Sequence, residues 1–151
     1  SKKSASSSAQ TEIVVGEVLK KEKYDLIVLI QATNIFLKSD HLDKAIKKII
    51  SKKKYNSLMS VVSCKFFIWQ NKNDKDEIFA KNYNFKKRLR SQDIKNKEYI
   101  ENGSFYIFYR KNFLKYKNRL HGKITFYKMP KISLIEIDDK EDLKIVKKLK
   151  N

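Results

Sequence analysis

The segment DLIVLI at residues 25–30, followed at once by the polar letters QATN at residues 31–34, decides the fold class of this chain. Its apolar side chains run without alternation and are mostly aliphatic and branched, which is typical of a short strand buried on both faces. Sheets buried on both faces are mainly parallel, and helices connect their strands. We therefore predict an α/β fold with a doubly wound, mainly parallel sheet.

Helical periodicity flanks this strand on both sides. Apolar residues recur at helical spacing within residues 12–21, and again from Leu42 to Ile50, where Asp40 is expected to cap the helix. Residues 63–98 lose this order and predict an excursion from the sheet, built as a hairpin and a long loop. The remaining runs predict strands at residues 57–62, 104–109, 123–128 and 132–137, and helices at residues 112–116 and 139–149.

Composition excludes several other classes of protein. The 151 residues are 41% apolar with three glycines and one proline, which argues against a disordered chain and indicates one domain or part of a larger one. No apolar run reaches the length of a membrane helix, no signal peptide is visible, and the single Cys64 suits a reducing compartment. We predict a cytoplasmic protein with no membrane partner.

The formal net charge of +18 invites a nucleic-acid interpretation. The lysines, however, are spread along the whole chain instead of forming one basic block. A general attraction to anionic ligands explains the charge about as well. A basic nucleic-acid-binding domain is therefore kept as an alternative, and no nucleic-acid partner is predicted.

Two ends of predicted strands carry the side chains best suited to chemistry. Gln31 and Thr33 follow the first strand, and Glu136 and Asp138 lie at the end of the last one. Alternation along a strand would place both carboxylates on one face, where they could hold Mg²⁺. Two solvated acids near the chain end are the simpler interpretation, and these residues alone leave both open.

Other kinds of site are absent from the sequence. His41 and His121 are far apart and, with one cysteine, make no zinc pattern. His41 is expected to be solvated. The three glycines are scattered, so the chain shows no glycine-rich loop that could cradle a triphosphate.

Five blocks of the sequence, in order, resemble segments of the acylneuraminate cytidylyltransferases, the CMP-sialic acid synthetases. They are IQATN at residues 30–34, SLMSVV at 57–62 with FIW at 67–69, RLRSQD at 88–93, YIENGSFY at 99–106 and SLIEIDDKED at 133–142. The opening stretch, residues 1–19, is also similar to a family segment that leads into a helix. One such block is a weak signal, but five in order over nearly the whole chain are a strong one.

The resemblance implies an enzyme that transfers CMP from CTP to an acidic nonulosonic sugar (an N-acylneuraminate or a relative), releases pyrophosphate and uses Mg²⁺ as its cofactor. It also implies residue roles: Gln31, Asn102 and Tyr106 as sugar-binding residues, Arg90 and Gln92 as catalytic residues near the sugar or its carboxylate, Ala9 and Thr11 as cytosine-binding residues, and Glu136 and Asp138 as Mg²⁺ ligands.

The family fold is a nucleotide-diphospho-sugar-transferase-like sheet with a protruding arm that exchanges with a second subunit, so the resemblance also implies a homodimer. By position, the dimerisation arm covers residues 107–128. Residues 1–151 correspond to a partial cytidylyltransferase domain, the C-terminal two-thirds of such an enzyme. The family segment that would precede it holds the triphosphate, so this chain by itself is expected to be inactive.

The chain departs from the family pattern at several positions. Glu136 stands where the family has the shorter Asp, Ser7 stands where it has Asp, and Asn34-Ile35 replaces Ser-Pro. A different acidic sugar, such as legionaminic, pseudaminic or 3-deoxy-octulosonic acid, is an alternative substrate. A non-catalytic dimerisation or binding fragment is an alternative function.

Overall fold

The computed structural model describes residues 11–21, 23–72, 76–94 and 98–150. The chain divides into two compact units, a central unit that runs up to Val62 and resumes at Glu101, and a second unit formed by Ser63–Ile100. In chain order the helices and strands are α1 (Thr11–Lys21), β1 (Leu26–Ile30), α2 (Ser39–Ser51), β2 (Ser57–Cys64), β3 (Trp69–Asn71), β4 (Ile78–Ala80), β5 (Glu98–Tyr109), α3 (Arg110–Tyr116), β6 (Ile124–Lys128) and α4 (Lys140–Lys150).

The central sheet has four strands in the order β1-β5-β2-β6. β1 and β5 are antiparallel, with Leu26 opposite Tyr109, whereas β2 and β6 are parallel, with Ser57 opposite Ile124. Three of the four strands therefore run in one direction. The prediction of an α/β fold with a mainly parallel sheet is confirmed.

Strand β5 shows why helices cover both faces of this sheet. Its alternating side chains pack into two separate core clusters: Phe105 and Ile107 join Ala45 and Ile49 of α2, whereas Phe108 packs with residues of α1 and α3 on the other face. A strand that is apolar on both faces needs such a cover, because either face would otherwise be exposed to water. The second cluster consists of Val15, Leu19, Tyr106, Phe108 and Phe113.

The strand predicted at residues 132–137 is wrong. Residues Lys131–Leu134 form a 3-10 turn instead, and no strand follows before α4 in this described part of the chain. The cause is Ser133, whose backbone N–H and side-chain hydroxyl both donate to the carbonyl of Pro130, at 3.0 and 2.7 Å. These two local bonds wind the segment into a turn, so strand alternation cannot be the reason why Glu136 and Asp138 lie near each other.

Helix α2 begins at Ser39, two residues earlier than a cap at Asp40 would require. Asp40 lies inside the first turn and pairs with Lys44 at 2.6 Å, so it is not the cap. The backbone N–H of Lys38 donates instead to Nδ1 of His41, at 3.2 Å. His41 is therefore part of the helix start and not simply solvated, and partial burial lowers the pKa of its imidazole.

The second unit contains the predicted hairpin, in which β3 and β4 pair antiparallel. The ring of Tyr83 packs against Phe67 and Trp69, with ring centroids 4.3 and 5.9 Å apart. The Asn82 side chain donates to the carbonyl of Phe66 and accepts from the N–H of Ile68, both at 2.8 Å. An aromatic cluster and one asparagine thus order a segment that has little regular secondary structure.

The segment predicted as a dimerisation arm, residues 107–128, is folded into the central unit. Its first residues end β5, its last residues form β6, and Phe113 of α3 is buried in the second core cluster. Tyr116 and Ile124 stay exposed. The role of this segment in a dimer stays a prediction. None of the helices in the described ranges is long and apolar enough to cross a membrane.

Candidate functional site

The candidate site lies where the chain leaves β1 and β6. Two buried asparagines, Asn34 and Asn102, donate their side-chain amides to the same carbonyl oxygen, that of Ser133, at 2.8 and 3.1 Å. Asn102 also donates to the Ser133 hydroxyl at 2.9 Å. These bonds join the end of β1, the first half of β5 and the turn after β6, whose residues are far apart in sequence.

Backbone bonds bring the sequence-predicted residues to this junction. The N–H of Gln31 donates to the carbonyl of Ser104 at 3.0 Å, which sets the half-buried Gln31 beside β5. The N–H of Ile137 donates to the carbonyl of Thr33 at 3.1 Å. Because Ile137 separates Glu136 from Asp138, this bond ties both predicted metal ligands to the end of β1. The structure therefore brings four of the predicted site residues together: Gln31, Asn102, Glu136 and Asp138.

Glu136 occupies a constrained position within the junction. Gly103 faces it with a φ of +62°, and a Cβ at that position would lie 2.7 Å from Oε1 of Glu136, so the carboxyl group fits because the residue is glycine. That Oε1 atom is buried and has no hydrogen-bond partner. Burial, and secondly the charge of Asp138, raise the pKa of the Glu136 carboxyl, while the Asn34 amide acts in the opposite direction.

Asp138 is presented by the start of α4. Asp139 accepts hydrogen bonds from the backbone N–H groups of Glu141 and Asp142, at 2.7 and 2.9 Å. The Asp142 carboxylate in turn accepts from the N–H groups of Asp138 and Asp139, at 3.0 and 3.2 Å. This reciprocal arrangement is a capping box, which uses Asp139 and Asp142 to begin the helix. It leaves the exposed side chain of Asp138 available for a ligand.

Several buried oxygens at the junction lack a hydrogen-bond donor. They are Oδ1 of Asn34, Oδ1 of Asn102, Oγ of Ser104 and Oε1 of Glu136. Buried acceptors without donors are costly, so they favour a water, a ligand hydroxyl or a cation beside them. Carboxylate and amide oxygens suit Mg²⁺. Among the described residues, no three His, Cys, Asp or Glu side chains form a ready-made metal cluster, so such an ion would need ligands from substrate or water.

Tyr106, predicted to pack against the sugar, is only 3% exposed. Its hydroxyl donates to the carboxylate of Glu101, and the guanidinium of Arg119 lies 4.4 Å from its ring centroid. Burial, followed by the hydrogen bond to Glu101, raises the pKa of Tyr106 to about 12, although Arg119 opposes the shift. Its ring belongs to the second core cluster, so the exposed group on this side of β5 is Glu101.

The predicted nucleotide-binding residues lie at the start of the described chain. Thr11 is the first residue of α1, and Ala9 lies outside the described residues. The next residue, Glu12, forms an ion pair with Arg119 at 2.6 Å. Since Arg119 also stacks on Tyr106, this pair connects the start of α1 to β5.

Arg90 and Gln92, predicted as catalytic residues, belong to the second unit. Arg90 precedes a 3-10 turn over Ser91–Asp93, and Gln92 lies within that turn. The Arg90 guanidinium donates to both carboxylate oxygens of Asp93, at 2.7 and 3.3 Å. Both side chains of this pair are exposed, so it contributes little to stability. The side chain of Gln92 is exposed as well.

Sequence reasoning identifies Asn102 but misses the two other residues that build the junction, Asn34 and Ser133. Asn34 enters only as part of a block that departs from the family pattern, and Ser133 falls in the wrongly predicted strand. One signal was available, since an asparagine directly after a buried strand is a residue that often bonds to backbone. Its partner could not be read from the sequence, because Asn34 and Ser133 are 99 residues apart.

In α/β sheets of this kind, ligands bind beyond the carboxyl ends of the strands, where this chain gathers its polar side chains. The chain belongs to the cytidylyltransferase family, whose model matches residues 1–151. Its structure is similar to that of 4-diphosphocytidyl-2C-methyl-D-erythritol synthase from Anaerococcus prevotii, with a TM-score of 0.64 and 14% identity over 95% of this chain and 68% of that one. At this identity the likeness shows the fold. A comparison with curated protein sequences finds no match.

Proposed function

We propose that this protein transfers CMP from CTP to an acidic nonulosonic sugar, an N-acylneuraminate or a relative, and releases pyrophosphate. Membership of the cytidylyltransferase family supports the nucleotide half of this proposal. The five sequence blocks that resemble acylneuraminate cytidylyltransferases support the sugar half. The observation that carries it is the junction at Ser133, because it joins residues from three of these five blocks at one edge of the sheet.

The hydrogen bonds of the junction restrict what each residue can offer a substrate. The amide nitrogen of Asn102 is committed to Ser133, so its Oδ1 atom is the group left to accept a hydrogen bond from a sugar hydroxyl. Gln31 has its backbone fixed and its side chain half-buried, so it can donate as well as accept. A polyhydroxylated sugar provides the donors that these oxygens lack.

Mg²⁺ is the cofactor that we propose, with Glu136 and Asp138 as its protein ligands. The unpartnered Oε1 of Glu136 and its raised carboxyl pKa fit this assignment, because a cation would favour the ionised form that burial disfavours. When bound, Mg²⁺ would neutralise phosphate charge at this edge of the sheet. Gln31 and Asn102 would meanwhile orient the sugar so that its anomeric hydroxyl meets the α-phosphate, forming a new P–O bond as pyrophosphate leaves.

The proposal is tested by incubating the gene product with CTP, Mg²⁺ and N-acetylneuraminate, and measuring pyrophosphate release and the CMP-sugar by mass spectrometry. Parallel reactions with legionaminic, pseudaminic and 3-deoxy-octulosonic acids identify which acidic sugar the enzyme uses. A sugar alcohol without the carboxylate serves as the control. Pyrophosphate release that is the same without any acidic sugar would show hydrolysis of CTP and overturn the proposed transfer.

A homodimer is the second part of the proposal, with residues 107–128 as the contact. The exposed Tyr116 and Ile124 support it, as does the resemblance in the sequence blocks. Light scattering at tens of micromolar, on the order of ordinary dimer affinities, should give twice the mass of the chain. A Tyr116→Lys variant should shift the mass toward the monomer, and a monomeric wild type at this concentration contradicts the proposal.

A further inference from the structure

Exposed charged residues lie at both ends of the central sheet. Acidic residues follow the strand ends at the candidate site, where Glu136, Asp138 and Asp139 lie. At the opposite end the chain enters β1, β2 and β6 and leaves β5, and the charged residues there are mostly exposed lysines. They are Lys23, Lys52, Lys53, Lys54, Lys111 and Lys123, with Asp25 as the acidic residue among them.

A cavity of about 580 Å³ opens at this lysine-rich end. Tyr55 and Tyr109 contribute aromatic walls, and Lys53, Lys111 and Asp25 contribute charged groups. We call this cavity the basic pocket. Its volume lies within the range of small-molecule sites, and its mixture of apolar walls with a few polar groups is typical of them.

The cations of the basic pocket are not used by the fold. Neither Lys53 nor Lys111 forms an ion pair with any carboxylate of the described residues. A third lysine, Lys54, lies with its ammonium 5.2 Å from the ring centroid of Tyr55, which adds positive charge beside that wall. Unpaired ammonium groups around a concave surface attract a phosphate, and their attraction is strengthened by the apolar walls.

One residue that lines the basic pocket, Asn56, is held in place by contacts with the segment before β6. Asn56 accepts a hydrogen bond from the N–H of Lys123 at 2.9 Å, and its own N–H donates to the carbonyl of the same residue at 2.8 Å. Gly122, with a φ of +62°, lies directly against the Asn56 side chain, where a larger residue would not fit. These contacts fix Asn56, just before β2, against the residues that lead into β6.

We propose that the basic pocket binds a nucleotide, with its base against the tyrosines and its phosphate between Lys53 and Lys111. Aromatic side chains beside lysines are the combination that holds a stacked base and its phosphate. Asp25 can accept a hydrogen bond from a ribose hydroxyl or from an exocyclic amino group of the base. The same chemistry is offered by a free nucleotide and by a nucleotide within a single strand of nucleic acid. The proposal does not depend on the cytidylyl transfer proposed above.

The test measures binding of the 151-residue chain to a fluorescein-labelled oligodeoxyadenylate by anisotropy, and to ATP by calorimetry. ATP is chosen because it is not the nucleotide of the proposed transfer. Two double variants with the same net charge are compared: Lys53→Gln with Lys111→Gln in the basic pocket, and Lys144→Gln with Lys147→Gln on the exposed side of α4. Tyr55→Leu tests the stacking wall, and thermal melting confirms that each variant is folded.

We expect the basic-pocket pair to weaken binding by about ten-fold and the α4 pair by less than about two-fold, because the two pairs differ only in position. Tyr55→Leu should weaken binding of ATP but leave that of inorganic triphosphate unchanged. Binding of ATP itself identifies a free nucleotide as the ligand, whereas binding of the oligonucleotide alone identifies a strand. Equal losses in the two lysine pairs, or equal affinities for ATP and inorganic triphosphate, would overturn the proposal.

Discussion

The carboxyl group of Glu136 is held where its neutral form is favoured, and this has a consequence for stability. Its pKa in the folded protein is raised above the ordinary value of 4.5 by burial and by Asp138. Between these two values the folded state binds more protons than the unfolded state, so a rise in pH through this interval lowers the free energy of unfolding. Below the ordinary value, both states are protonated and the effect is absent.

Glu136→Gln should therefore gain stability relative to the wild type as the pH rises. Without divalent ions, the two proteins should have similar free energies of unfolding near about pH 4, and the variant should be the more stable near about pH 7. Urea unfolding at several pH values measures this difference, and Glu141→Gln, at an exposed side chain, serves as a control for the same chemical change. A difference for Glu136→Gln that does not change with pH would contradict the assigned environment.

Asp138 differs from Glu136 because its side chain is exposed and available for a ligand. If it holds Mg²⁺ as proposed, Asp138→Asn in the complete enzyme should keep the fold but lower turnover by about a hundredfold or more, since one negative charge is lost at the metal. Glu136→Gln should have a smaller effect if the longer side chain binds through water. Asp43→Asn on the exposed face of α2 is the matched control. Near-normal turnover of Asp138→Asn at saturating Mg²⁺ excludes the metal role.

At the scale of elements, α4 depends on the capping box of Asp139 and Asp142. Asp142→Ala removes the acceptor of two backbone N–H groups and should lower the free energy of unfolding by about 1 kcal/mol. Asp142→Glu should restore part of it, because a glutamate can accept the same bonds. Glu141→Ala, next to it on the helix, has an exposed side chain and is the control. If urea unfolding gives Asp142→Ala and Glu141→Ala the same free energy of unfolding, the capping box does not stabilise the helix.

Most of the helices and strands, but not all of them, could be predicted from the sequence alone. Apolar runs and periodicity predict strands β1, β2 and β6 and helices α1, α2 and α4. The prediction that β1 is buried on both faces is wrong, because β1 is a half-buried edge strand that pairs antiparallel with β5. The segment at residues 132–137 has an apolar pattern too, yet it forms a turn, because bonds from Ser133 to Pro130 override it. Local side-chain bonds of this kind do not change the hydrophobic pattern, and the pattern was the only signal used.

The candidate site was predictable in part for a similar reason. Gln31 and Asn102 were found because they lie in sequence blocks with a family resemblance, and the structure places them together. The pairing of both asparagines with one carbonyl was not predictable, since it depends on how β1, β5 and the turn after β6 meet in space. The close approach of Glu136 to Gly103 was not predictable either, because it also depends on how distant segments meet in space.

At the scale of the whole molecule, the net charge of +18 affects the stability of the fold. Exposed ion pairs such as Lys44–Asp40 contribute little to stability, because they are well solvated. Repulsion among many lysines therefore opposes the compact state at low ionic strength. Added salt shortens the range of this repulsion to about 8 Å at physiological ionic strength, so it should stabilise the fold.

We expect the melting temperature to rise by on the order of a few degrees when NaCl is increased from a low to a physiological concentration. Occupation of the basic pocket by an anion would also raise it, and the two causes can be separated with the variants already described. Screening predicts that Lys53→Gln with Lys111→Gln and Lys144→Gln with Lys147→Gln both keep most of the salt response, since each removes the same small share of the charge. Anion binding predicts that the response is lost in the first pair alone. A melting temperature that falls as NaCl is added would show that attractive ion pairs outweigh the repulsion. It would contradict the inference that repulsion among the lysines destabilises the fold.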